Sequence, residues 1–360
     1  MDQLRRQIAG MLVMGFSGCE VDSTSPIVTG LKEGLGGVLL FDSDLATKAP
    51  HKNLKNLTQI KRLTRELRYQ ATQSTELPLF IAVDYEGGAV DRLSHIKGCM
   101  STMTPEQQAL LSDKALYAEA TKMAKTLSEL GFNLNFAPVI DLNLHQNQGI
   151  IGARGRSFSK DPVQVIRAAK QFVTAFSQQG IVCSYKHFPG HGSALGDTHD
   201  GFVDVTEGYQ ASELVPYQRL LNDHTLPRTM VMTAHVIHRG WDELPATLSH
   251  PIITGILRQQ IGFDGVVISD DLQMQAISAH YLLDEALCLT INAGADMVII
   301  ANQLGEITAS EVIDIVVGLV TSGAIDRARI EQAYQRIVTL KTINAPTKIV
   351  DAKGVFDPIF

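Results

Sequence analysis

The chain has little that would staple, stack or span. Its four cysteines, Cys19, Cys99, Cys183 and Cys288, lie far apart in 360 residues and form no C-x-x-C pair. That excludes a disulfide framework or zinc ribbon and favours a reducing, cytoplasmic setting. Aromatic residues make up only 6%, with Trp241 the sole tryptophan, which disfavours a long stacking groove for a polymer. No apolar run is long enough to cross a membrane. The opening "MDQLRRQIAGMLVMGF" has no small-residue cleavage site and reads as a helix entering a strand. A net charge of -7 without a basic run offers no electrostatic footprint for nucleic acid. Small or neutral ligands are favoured, on a monomer or weak homo-oligomer.

What is present is a rhythm. Eight short apolar runs recur between amphipathic stretches: "MLVMGF" from Met11, "GGVLLF" from Gly36, "LFIAVD" from Leu79, "LNFAPVID" from Leu134, "IVCSYKHF" from Ile181, "MVMTAHV" from Met230, "GVVISD" from Gly265 and "DMVIIAN" from Asp296. Their β-branched, near-continuous apolarity is that of strands covered on both faces. Helical patterns lie between them, such as the stretch from Pro105 to Leu130 and the one bounded by Asp161 and Gly180. The alternation predicts an α/β fold, a single-domain (β/α)8 TIM-type barrel over residues 1–345 with a C-terminal tail at 346–360. An open doubly wound sheet is the competing arrangement, but no G-x-G-x-x-G opens a helix after a strand.

Chemistry gathers where a barrel puts its active site. Asp84, Asp141, Lys186 with His187, His235 and Asp270 each fall at or near a predicted strand end. Polar residues collect at any strand end, so the argument rests on their number. The segment "KHFPGHGSALGDTH" from Lys186 raises three readings: metal ligands, catalysts or a sugar clamp. Asp197 and His199 align along an extended segment, where a carboxylate fixing one imidazole nitrogen frees the other for proton transfer; two turn caps would look the same. Gly190, Gly192 and Gly196 fit a moving loop or a fixed turn. His187, His191, His199 and Asp197 are possible metal ligands, but Pro189 and Gly190 break any helical spacing, and no metal or cofactor is expected.

In "SDDLQM", Asp271 reads as a helix N-cap and Asp270 as a strand-end carboxylate suited to nucleophilic attack, with two capping aspartates as the alternative. Lys186 suits a Schiff base or hydrogen bonds to ligand hydroxyls. Arg154 and Arg156 offer forked donors, and Asp84 an acceptor for sugar hydroxyls beside Gly87 and Gly88.

"KHFPGHG" followed by "DTH", with "SDDLQM" after "FDGVVI", resembles the family 3 glycoside hydrolases, in particular single-domain β-N-acetylglucosaminidases (β-N-acetylhexosaminidases) of the NagZ type. The likeness runs from "LGGVLLF" and "VDYEGG" through "NFAPVIDLN", "RSFSKDP" and "TAHV" to "RIEQAYQRIVTLK". It implies a barrel, a retaining mechanism and no metal. Asp270 would be the nucleophile, His199 the general acid and then base, and Asp197 its orienting partner. Asp84, Arg92, Arg156, Lys186 and His187 would bind the terminal sugar, with His235 as a further candidate. Larger members carry a second domain supplying a carboxylic acid catalyst, whereas here the acid would come from the barrel. An imidazole of ordinary pKa near 6.5 suits that task, and its lower negative charge keeps phosphorolysis open.

Two positions depart from the pattern, Tyr85 where many members have glutamine and Ala89 where many have arginine, as does the loop "LHQNQGIIGARG". They are expected to touch sugar or aglycone regions. The implied activity is removal of terminal β-linked N-acetylglucosamine, from peptidoglycan fragments. Another sugar specificity, a lysine-dependent aldolase and a barrel that binds sugar without turnover are the rivals.

Overall fold

The computed structural model describes residues 3–146, 148–196 and 201–344. Each apolar run becomes one strand of a closed barrel: β1 Leu12–Met14, β2 Gly37–Leu39, β3 Phe80–Val83, β4 Leu134–Asn135, β5 Val182–Phe188, β6 Met230–Thr233, β7 Val267–Asp271 and β8 Met297–Ile300. Every strand pairs in parallel with its sequence neighbours, and β8 closes onto β1 through Leu12 opposite Val298. Burial explains the runs: β1, β2, β3, β6 and β8 are buried at every position because helices cover the outside and side chains fill the inside. The expected tail at 346–360 lies outside the described residues.

The opening segment is a helix, Gln3–Gly10, that feeds β1. The pattern from Pro105 forms two helices, Pro105–Ala109 and Asp113–Leu130, because Ser112 restarts the chain by accepting the Ala115 N–H. Asp161 caps Pro162–Ser177 through the Val163 N–H. Asp271 does not cap a helix, which corrects the sequence reading. It belongs to β7, and the following helix begins at Gln275. Among the described residues, no helix is long and apolar enough to cross a membrane.

Two strands slip register near the rim. The β5–β6 ladder shifts between Tyr185 and Phe188, and the β7–β8 ladder between Ile268 and Asp271. Such bulges re-aim side chains. They fall at Lys186 with His187 and at Ser269 with Asp270.

Candidate active site

Asp84 follows β3 directly and opens a ribbon in which Tyr85–Gly87 pairs antiparallel with Val90–Asp91. Extended backbone sends alternate side chains to opposite faces. Asp84 and Glu86 therefore share one side, and Lys186 reaches both, its Nζ 2.9 Å from Asp84 Oδ1 and 2.7 Å from Glu86 Oε1. Arg156 holds Glu86 from the far side with Nε 2.8 Å and Nη2 2.7 Å from its oxygens. Arg92 closes the cluster, 3.4 Å from Asp42 and 3.9 Å from Asp84, with its guanidinium over the Phe41 ring.

Burial and pairing compete here, and pairing wins. Burial by itself would raise the Glu86 carboxyl, but Arg156 and Lys186 hold it well below the usual carboxylate range. Burial by itself would lower the Lys186 ammonium, yet Asp84 and Glu86 raise it. A Schiff-base lysine needs a neutral amine. Lys186 is instead a charged donor fixed between two carboxylates, which removes the aldolase reading. Arg156 engages Glu86 through two nitrogens and is its buried counter-ion.

A second cluster forms at the ends of β4 and β5. The Asp141 carboxylate accepts the backbone N–H of His187 and of His191, and His187 Nδ1 lies 2.7 Å from Asp141 Oδ2. Burial would raise Asp141; the neighbouring His187 brings it below its ordinary value. The ring of His187 is thus set with Nδ1 toward the carboxylate. Burial lowers His191 to about 4, so its imidazole is neutral near pH 7.

The third cluster surrounds β7. Ser269 Oγ accepts the Ile299 N–H, and Asp271 Oδ1 accepts the Ala301 N–H, so both are tied to β8. Asp270 sits between them, half-buried, with Oδ1 accepting the Asp271 N–H at 2.8 Å. His235 is 0% exposed and braces this strand. Its Nε2 is 2.9 Å from the Asp271 carbonyl and its Nδ1 2.8 Å from Thr247 Oγ1. A carbonyl only accepts, so Nε2 donates to the Asp271 carbonyl, while the Thr247 hydroxyl beside Nδ1 in turn donates to the Ala234 carbonyl. With both nitrogens engaged, His235 is a strut between the end of β6 and Asp271 of β7.

Asp197 and His199 lie outside the described residues. The backbone leading to them is tightly built. Glu213, 1% exposed, accepts the N–H groups of Gly192 at 2.8 Å and Ser193 at 3.3 Å. A Cβ on Gly192 would stand 2.1 Å from the Leu142 carbonyl oxygen, so this glycine serves close approach in a fixed turn. Among the described residues no group of three or more histidine, cysteine or acidic side chains is arranged to hold a metal ion.

Glu86 and Glu213 were not singled out as site groups from sequence, whereas Asp141 was, as a strand-end residue. Glu86 had a usable signal, its two-residue spacing from Asp84 on an extended segment. Tyr85 requires a correction: it is 0% exposed and faces Asp91, Cys99 and the helix Asp113–Leu130, opposite the charged cluster. The departure from glutamine therefore does not touch the site. Ala89 and Arg154 are exposed.

Comparison with known proteins gives concordant results. The chain is 34% identical over 286 residues to "Beta-hexosaminidase A" of Pseudoalteromonas piscicida, covering 73% of this chain and 45% of that protein. It is 34% identical over 298 residues to "Beta-hexosaminidase" of Tolumonas auensis, covering 82% and 83%. The solved structure of a glycoside hydrolase family 3 β-N-acetylglucosaminidase from Paenibacillus sp. superposes with a TM-score of 0.83 at 28% identity, over 98% of this chain and 65% of that one. The chain thus spans less than half of the first relative and most of the second. The "Glycosyl hydrolase family 3 N terminal domain" matches residues 5–340, a span that leaves no barrel strand outside it: the chain belongs to glycosyl hydrolase family 3.

Proposed function

We propose that the protein is a retaining exo-β-N-acetylglucosaminidase that removes terminal β-linked N-acetylglucosamine. The observation that carries this reading is the linked set Asp84, Lys186, Glu86 and Arg156 at the ends of β3 and β5, on the same rim as Asp270 of β7. Paired carboxylate and ammonium groups accept from and donate to neighbouring hydroxyls of one sugar ring. Asp84, Lys186 and Arg92 make those contacts, with His187 beside them. Asp84 and Glu86 keep Lys186 charged, and Arg156 holds Glu86 in place. The names of the relatives choose the acetamido sugar.

In the first step an Asp270 oxygen forms a bond to the anomeric carbon as the glycosidic C–O bond breaks. The leaving oxygen takes the proton of His199, whose other nitrogen Asp197 orients. In the second step His199 takes a proton from water, whose oxygen attacks the anomeric carbon and expels the Asp270 carboxylate. Net retention follows from two displacements. Peptidoglycan fragments in the cytoplasm are the proposed substrates, a setting supported by four free cysteines.

Nitrophenol release from the β-N-acetylglucosaminide and the β-glucoside, with wild type and Asp270→Ala, tests the proposal. Turnover confined to the acetamido substrate and abolished in the variant is expected. Turnover preserved in Asp270→Ala overturns the nucleophile.

A further inference from the structure

Glu213, like Asp91, is a buried carboxylate with no arginine or lysine among its described contacts. Glu86 has Arg156 and Lys186, and Asp296 has three arginines, whereas Glu213 is surrounded by the backbone N–H groups of Gly192 and Ser193 and by the Ser193 side chain. It stands on the 3-10 turn Ala211–Leu214 after β5. Its Oε2 accepts the N–H groups of Gly192 and Ser193, and its Oε1 faces the Gln210 N–H at 3.3 Å. The turn is shaped around it. Gly190 has φ +136°, and a Cβ there would come 2.8 Å from Glu213 Cβ and Oε2. Tyr209 donates its hydroxyl to the Pro189 carbonyl at 2.8 Å, and His145 Nε2 lies 3.1 Å from the Ser193 carbonyl.

A buried carboxylate kept for a single turn needs a purpose, because desolvating it is costly unless its bonds matter. Four residues after Ser193 comes Asp197, and two later His199. Beyond residue 200 the chain makes two further contacts. Phe202 stacks on His280 with centroids 3.7 Å apart, and Val203–Asp204 pairs with Val236–Ile237. His280 belongs to the loop that follows β7, the strand of Asp270.

We infer that Glu213 is a positioning residue for proton transfer: by accepting the Gly192 and Ser193 N–H groups it sets the take-off of the segment bearing Asp197 and His199. This rests on His199 being the acid, as proposed above. It goes further in naming a group that never touches substrate and yet selects which substrates turn over, since a displaced acid penalises only leaving groups that need a proton.

The test compares kcat/KM, which reports glycosylation alone, on N,N′-diacetylchitobiose and on 2,4-dinitrophenyl β-N-acetylglucosaminide, whose leaving group departs without protonation. Glu213→Met removes both acceptors. Its kcat/KM on the disaccharide is expected to fall by roughly 10- to 100-fold, part of the 10²–10⁴ a general acid supplies, with the dinitrophenyl value changed by less than about threefold. Glu213→Gln, which keeps one oxygen able to accept both N–H groups, is expected to recover most of the loss. If Glu213→Met does not fold, Glu213→Asp withdraws the acceptor by one methylene and carries the same expected split. An equal loss on both substrates, no loss, or failure of Glu213→Gln to recover overturns the inference. His199→Ala run alongside separates the two claims. Absence of a split there refutes His199 as the acid, while the Glu213 data still decide whether this turn governs protonation.

Discussion

Replacing Glu86 by glutamine should destabilise the barrel far more than a neutral isostere ordinarily does. The carboxylate makes three charge-assisted contacts, two to Arg156 and one to Lys186, at 2.7–2.8 Å. Such contacts are worth about 1.5–3 kcal/mol each in isolation, and they share partners, so they do not add. Removing one member of a buried ion cluster leaves uncompensated charge and costs about 3–5 kcal/mol, which is the expected loss from urea-unfolding midpoints and slopes. Glu86→Leu combined with Arg156→Met removes both charges and leaves Lys186 with Asp84. That double variant should be more stable than the sum of its singles by about 0.5–3 kcal/mol. The pH dependence follows from the same pairing. Glu86 is held below its unfolded value near 4.3, so its contribution is complete above that pH and is lost as pH falls toward the folded-state value, where the unfolded chain binds the proton first. Glu86→Gln should lack this part of the acid-side loss. A glutamine variant within about 0.5 kcal/mol of wild type at pH 7 would refute the reasoning.

Other expectations follow from neighbouring contacts. His235→Leu keeps volume but cuts the Asp271 carbonyl and Thr247 hydroxyl contacts, so kcat on the acetamido substrate should fall by roughly 10- to 100-fold with KM little changed, because misplacing a nucleophile costs rate more than affinity; an unchanged kcat would remove the strut role. Lys341 is buried with its ammonium donating to the Gly36 and Pro78 carbonyls, and burial lowers it to about 7. Between that value and the unfolded one near 10.4 the unfolded chain binds more protons, so stability should climb as pH rises across this window; Lys341→Met should flatten the climb in urea titrations.

All eight strands were readable because a parallel barrel demands apolarity on both faces, and "MVMTAHV" or "DMVIIAN" serves no other fold as economically. The strand-end residues Asp84, Lys186, His187 and Asp270 were readable for the same reason, since topology alone brings them to one rim. What escaped was set by burial and register. Asp271 resembled an N-cap because an aspartate before a helical pattern is the usual cap, but the β7–β8 bulge turns it to the Ala301 N–H instead. Glu86 and Tyr85 are adjacent in "VDYEGG", and only the ribbon's alternation reveals that one is an ion-cluster anchor and the other core. Glu213 carries no motif at all. Its contacts are the backbone amides of Gly192 and Ser193 and the Ser193 side chain, brought together only by the fold.

The most direct test of the double-displacement account is the anomeric configuration of the first sugar released from a β-N-acetylglucosaminide, followed by proton NMR before mutarotation. The account predicts β-N-acetylglucosamine as the initial product. Initial α-product would show a single displacement and contradict Asp270 as a covalent nucleophile.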